Sequence, residues 1–143
     1  MDWSKETIYK LYNLTPTTHA IENMKAEIER LQLQLQSIKS SISDGTPVKS
    51  GGNTREERLV ATIAEIDELR DRIKHESQWV TRMESALADL SAEDRQILDL
   101  CYINRRRFPI DEVCTYLCVE KTRAYEKRNA AVERLARRLY GAY

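Results

Sequence analysis

A chain of 143 residues that is 41% hydrophobic and 32% charged, with a single Phe, has the composition of thin helical cores rather than of one thick globule. No apolar run approaches the roughly 18 residues that span a bilayer, and Met1-Asp2-Trp3-Ser4-Lys5-Glu6 lacks a signal-peptide pattern, so no membrane is expected and the expected location is cytoplasmic. The formal net charge of zero conceals an asymmetry: Met1 to Leu90 carries 12 Lys/Arg against 15 Asp/Glu, whereas Asn104 to Tyr143 carries 10 against 5, which suits a phosphate-binding surface at the basic end.

From the N-terminus, Trp3, Thr7, Ile8, Leu11 and Tyr12 share one helical face. The spacing predicts a short helix over Met1 to Leu14, capped by Ser4, ended by Thr15-Pro16 and docked through its aromatic face. Ile21, Met24, Ile28, Leu31, Leu35, Ile38 and Ile42 then recur at spacings of 3, 4, 3, 4, 3 and 4, a coiled-coil seam that needs a partner helix. Over about 24 residues it makes a rod of roughly 36 Å. Residues 44–53 hold three of the four glycines and one of the three prolines and read as a flexible loop. Gly51-Gly52 lacks the lysine and hydroxyl that a phosphate loop carries after its glycines, so the stretch is expected to be a linker.

Thr54-Arg55-Glu56-Glu57 has the form of a capping box. It is expected to launch one unbroken helix to Leu90, about 55 Å long, with a seam of Leu59, Ile66, Leu69, Ile73, Val80, Met83, Leu87 and Leu90 interrupted at Thr62 and Glu76. His75 beside Trp79 is expected at the surface or in the seam. The two rods can pair antiparallel within one chain or between two subunits. Both arrangements satisfy the pattern, and a dimer along these helices is the favoured state.

Ser91, three residues before Asp94, caps the next helix, and its apolar stripe is Ile97, Leu98 and Cys101 with Tyr102 at the edge. The polar run Asn104-Arg105-Arg106-Arg107 ends it. Pro109 suits a first helical position, and Ile110, Val113, Cys114 and Leu117 follow at i, i+3, i+4 and i+7. After a tight Cys118-Val119-Glu120 turn, a last helix from Lys121 buries Ala124, Ala131, Val132, Leu135 and Leu139. Three such helices give an all-α chain: an N-terminal coiled-coil or helical-hairpin region over 1–90, then a helix-turn-helix DNA-binding domain over 91–143.

Cys101, Cys114 and Cys118 are odd in number and occupy sites that want small apolar residues. They are expected as buried thiols rather than a disulfide framework or a zinc site, for which His19 and His75 lie too far off in sequence. No cofactor is expected. Nor is catalysis, because no Ser/His/Asp or Cys/His grouping emerges.

The exposed face of the last helix carries Lys121, Thr122, Tyr125, Glu126 and Asn129 as base-reading candidates. Lys121 suits guanine acceptors, Asn129 adenine, and Glu126 the cytosine amine. Arg105, Arg106, Arg107, Arg123 and Arg128 are the expected phosphate anchors.

Leu90-Ser91-x-x-x-Arg95-x-Ile97-Leu98-x-Leu100-x-Tyr102, then Ile110-x-Glu112-Val113-Cys114-x-x-Leu117-Cys118-Val119, then Lys121-Thr122-Arg123-Ala124-Tyr125 together resemble a sigma-factor region-four-like promoter-recognition domain. The layout, including Ser50-Gly51-Gly52, resembles phage late-transcription regulators of the RinA-like and ArpU-like kind. The resemblance covers roughly the last fifty residues well and the rest in layout only. It implies a DNA-binding activator of phage late genes in a bacterial host cell, with duplex DNA, a second copy and the host RNA polymerase as partners, and with Lys121, Thr122 and Glu126 entering the major groove. The alternatives are a small terminase subunit, which packages DNA, and a sigma-like polymerase adaptor. Three positions depart from the pattern: Cys118 stands for the turn glycine, Glu120 for a serine or threonine cap, and Lys127 for an apolar residue.

Overall fold

The computed structural model describes residues 2–43 and 52–141. Five α-helices run in order, α1 (Trp3–Ser43), α2 (Gly52–Ala88), α3 (Ala92–Leu98), α4 (Pro109–Leu117) and α5 (Lys121–Tyr140), with a π-helical turn at Asp99–Ile103 continuing α3. The chain is all-helical, with no strand among the described residues. It divides into two compact units, one joining Met1–Thr18 to Gln78–Tyr143 and the other spanning His19–Ser77. Both ends of the chain thus share a unit, where the sequence reading separates 1–90 from 91–143.

The first helix does not stop at Pro16 as expected. Proline withholds one backbone donor and crowds the preceding turn at a cost of about 3 kcal/mol. Leu11 and Leu14 before it and Ile21 after it are buried, and each fully buried side chain of this size returns about 1.5–3 kcal/mol. Burial on both sides therefore outweighs the local break. The cap also differs from expectation: Asp2 Oδ1 accepts from the backbone N–H groups of Ser4 and Lys5 at 3.1 and 3.2 Å, which puts the N-cap two residues before Ser4.

In the unit His19–Ser77 the seam residues Ile21, Leu31 and Ile38 of α1 and Ile66 of α2 are buried, and Met24, Ile28, Leu35, Leu59, Leu69 and Ile73 are half-buried. Thr62, expected as an interruption, is itself buried, because its hydroxyl donates to the Arg58 carbonyl at 2.8 Å and carries no unpaired donor inward. Arg55 Nη1 donates to the Ser41 carbonyl at 3.4 Å near the other end of the unit. Helix α2 passes Glu76 unbroken and starts at Gly52, two residues before the expected Thr54 cap. The rest of the expected loop, 44–51, and the side chain of Ile42 lie outside the described residues.

In the unit containing the C-terminus, α3 and α4 both pack on α5. Ser91 caps α3 as expected, its Oγ accepting from Asp94 N at 3.1 Å. The π-helical turn that follows was not legible in the stripe. Asn104 N donates to Asp99 O at 2.9 Å, and the wider turn lets Leu100, Cys101 and Tyr102 be buried in succession. Asp94 is 3% exposed and receives two charge-assisted bonds from Arg134, Nε to Oδ2 at 2.7 Å and Nη2 to Oδ1 at 2.8 Å. The hydrogen bond to Asp94 raises the Arg134 guanidinium above its ordinary range.

Between α4 and α5 the chain turns at Cys118, with φ 55° and ψ 48°. This is the left-handed conformation in which an L-residue with a Cβ is strained. Cys118 and Val119 both donate their backbone N–H to the Cys114 carbonyl, so the turn closes α4 despite the strain. Cys118→Gly should stabilise the protein by about 1 kcal/mol. Equilibrium denaturant unfolding checks this, and a variant no more stable than the parent would mean the turn carries no strain. Glu120 precedes α5 without a side-chain cap, in line with its departure from the usual serine or threonine. Lys127 is accommodated by an ion pair, its Nζ 3.2 Å from Glu93 on α3.

Candidate nucleic-acid interface

The segment after the π-helical turn is fixed from beneath. Arg106 N donates to the Leu100 carbonyl at 3.0 Å and Asn104 Nδ2 to Asp99 Oδ1 at 2.7 Å, so three consecutive arginines sit on an anchored backbone. All three are exposed. The Arg107 guanidinium lies 5.4 Å from the Phe108 ring centroid, and that of Arg105 lies 5.8 Å from the Tyr12 ring.

Helix α5 presents its first turns to the same side. Ala124, Ala131, Val132, Leu135, Ala136 and Leu139 are buried, which turns Lys121, Thr122, Arg123, Tyr125, Glu126 and Asn129 outward and leaves Arg128 half-buried. Arg128 lies 5.0 Å from the Tyr125 ring centroid and donates through Nε and Nη2 to Asn129 Oδ1 at 3.3 and 3.1 Å. Lys121 Nζ is 3.6 Å from Asp111 Oδ1, and Arg123 Nη1 is 3.1 Å from Glu126 Oε2. These pairs are well exposed and hold each other only weakly.

A cleft of about 310 Å³ lies where the arginine segment, the start of α4 and the start of α5 meet. Its walls are Arg105, Arg107, Lys121 and Arg128 with Phe108 and Tyr125, over Pro109, Ile110 and Asp111. Four cations against one carboxylate make it an anion-attracting concavity with two aromatic rings in its wall. No family model, curated protein or solved structure matches the chain. What the cleft does is therefore argued from its chemistry.

Of the ten residues singled out in the sequence, five line this cleft: Arg105, Arg107, Lys121, Tyr125 and Arg128. Arg106, Thr122, Arg123, Glu126 and Asn129 lie on the exposed surface outside its lining. Glu126 is engaged by Arg123 and Asn129 by Arg128, so a bidentate contact from Asn129 to a base requires Arg128 to let go of its oxygen. Phe108, 60% exposed, was missed. Its signal was present, an aromatic residue set directly behind three arginines. Tyr12, whose hydroxyl accepts from Arg105 Nη1 at 3.1 Å, carries no such signal, since its position in the sequence marks only an aromatic docking face.

The thiols divide three ways. Cys101 is buried, and desolvation pushes its thiol up and keeps it protonated, while Cys114 is half-buried. Cys118, expected inside, is exposed, because the left-handed turn faces solvent. Among the described residues no cluster of three His, Cys, Asp or Glu side chains forms a metal site. His19 and His75 are exposed, and no described helix is long and apolar enough to cross a membrane.

Proposed function

We propose that the chain is a sequence-specific, duplex-DNA-binding transcriptional regulator, an activator of phage late genes, whose reading head is the α3–α4–α5 helix-turn-helix. The observation that carries this reading is the cleft. It gathers cations from two separate stretches, 105–107 and the start of α5, beside the exposed face of one helix. Phosphate contacts and base contacts are then supplied from adjoining surfaces, as major-groove recognition requires. Burial of Leu31 and Ile66 inside the single-chain unit His19–Ser77 supports a helical hairpin, so a dimer would use a surface other than the seam.

The test separates two kinds of loss. Arg106→Ala or Arg107→Ala should weaken binding to every duplex and flatten the salt dependence by about one unit per lost phosphate contact. Glu126→Ala or Asn129→Ala should cost roughly 1–3 kcal/mol on the preferred site and little on random DNA. Selection from random duplexes, followed by titration at several salt concentrations, reads both. If the Glu126 and Asn129 variants select the parental site with parental affinity, α5 does not read bases. Protection of DNA by a ring of subunits would favour packaging, and no protection at all a polymerase adaptor.

A further inference from the structure

Helix α1 touches one residue that lines the cleft, Arg105. Tyr12 accepts a hydrogen bond from Arg105 Nη1 at 3.1 Å and lies beneath the same guanidinium at 5.8 Å. The Tyr12 ring is in turn set edge-on against Tyr102, with centroids 5.5 Å apart and planes at 86°. Tyr102 belongs to the π-helical turn and is buried. A chain of contacts thus runs from the core through Tyr102 and Tyr12 to Arg105. Arg107 and Arg128 rest on rings of their own segments, Phe108 and Tyr125, whereas the ring that holds Arg105 lies 93 residues away.

An arginine on an irregular segment loses much of its rotamer freedom when it grips a phosphate, and that loss weakens the contact. Tyr12 uses one of the five guanidinium N–H donors, leaving the other donors for an anion. We infer that Tyr12 is a positioning residue for Arg105, pre-ordering the guanidinium for a DNA phosphate, so that the first helical turns belong to the DNA-binding surface. The inference rests on the DNA-binding reading above.

The experiment titrates the full chain against the duplex selected by the parent, at several salt concentrations. Tyr12→Phe keeps the ring and its contact with Tyr102 but removes the hydroxyl. It should weaken binding roughly three- to tenfold with an unchanged salt slope, because Arg105 still neutralises its phosphate. Arg105→Ala should weaken binding and flatten the slope by about one unit. Adding Tyr12→Phe to Arg105→Ala should then change nothing further, an outcome that a purely structural tyrosine would not give. Arg105→Lys, which keeps the charge and loses the planar donor, should reproduce the Tyr12→Phe loss at the parental slope, and it decides the matter if Tyr12→Phe lowers the thermal midpoint. Parental affinity in Tyr12→Phe, or an equal loss with and without Arg105, overturns the inference while leaving DNA binding intact. A parent that binds no duplex overturns the functional reading itself, whatever Tyr12 does.

Discussion

Leu31→Asp should unfold the His19–Ser77 unit, whereas Leu33→Asp, two residues on, should be nearly silent. Leu31 is 1% exposed and Leu33 is 67% exposed. Truncating a buried leucine alone costs about 3–5 kcal/mol through lost transfer energy and the cavity left behind. A carboxylate in its place adds an unpaired charge to an apolar seam. A total of about 4 kcal/mol or more is a large share of the 5–15 kcal/mol that holds a domain together, and nearly all of it at the low end of that range. An exposed substitution usually stays within about 0.5 kcal/mol. Circular dichroism on heating reads the difference as lost helix and a lowered midpoint for Leu31→Asp only. If the seam closes within one chain, as proposed, the parental midpoint should not vary with protein concentration. Two variants with the same midpoint would remove the seam from the energetics of the fold, and a concentration-dependent parental midpoint would move it between subunits.

The seam was legible because its signal is periodic and redundant: from Ile21 to Ile38 every third or fourth residue is apolar, and every one of them is buried or half-buried. The Ser91 cap was legible because a cap is a local bond between neighbours in sequence. Pro16 misled for the complementary reason. Its local cost is visible in the chain, while the burial of Leu11, Leu14 and Ile21 that offsets it is set by tertiary packing. The π-helical turn shifts the register by one residue, so a stripe drawn with 3.6 residues per turn passes over Leu100. In the cleft, Arg105 and Arg107 were legible as part of a basic run, and Lys121 and Tyr125 as outward positions on the face opposite the buried stripe of α5. Tyr12 was not, since nothing in its own neighbourhood points to an arginine far along the chain.

Arg134→Leu should destabilise the unit that carries the cleft by about 2–3 kcal/mol, and Asp94→Leu in the same chain should restore most of that loss. The Asp94 side chain is 5% exposed, so deleting its partner leaves a buried carboxylate with two of its bonds removed. Breaking a fully buried pair costs about 3–5 kcal/mol. The Arg134 side chain is 52% exposed, and water reaching the vacated space lowers the figure. Replacing both partners removes the desolvation penalty along with the attraction, and leucines of comparable bulk can pack between α3 and α5 at little net cost. The pair therefore adds less to total stability than its short distances suggest. What it adds is geometry: two bonds of fixed direction, with the Lys127–Glu93 pair beside them, set the rotation of α5 against α3 and so which residues of α5 face outward. The double variant should regain most of the parental stability, and under the proposed DNA-binding function it should still bind a selected duplex less tightly than the parent, since leucines define that rotation less sharply. Chemical denaturation of the parent, both single variants and the double variant gives the coupling energy directly. If Arg134→Leu unfolds at the parental midpoint, the ion pair is dispensable, and the packing of Ile97, Leu98 and Leu135 alone orients the exposed face of α5.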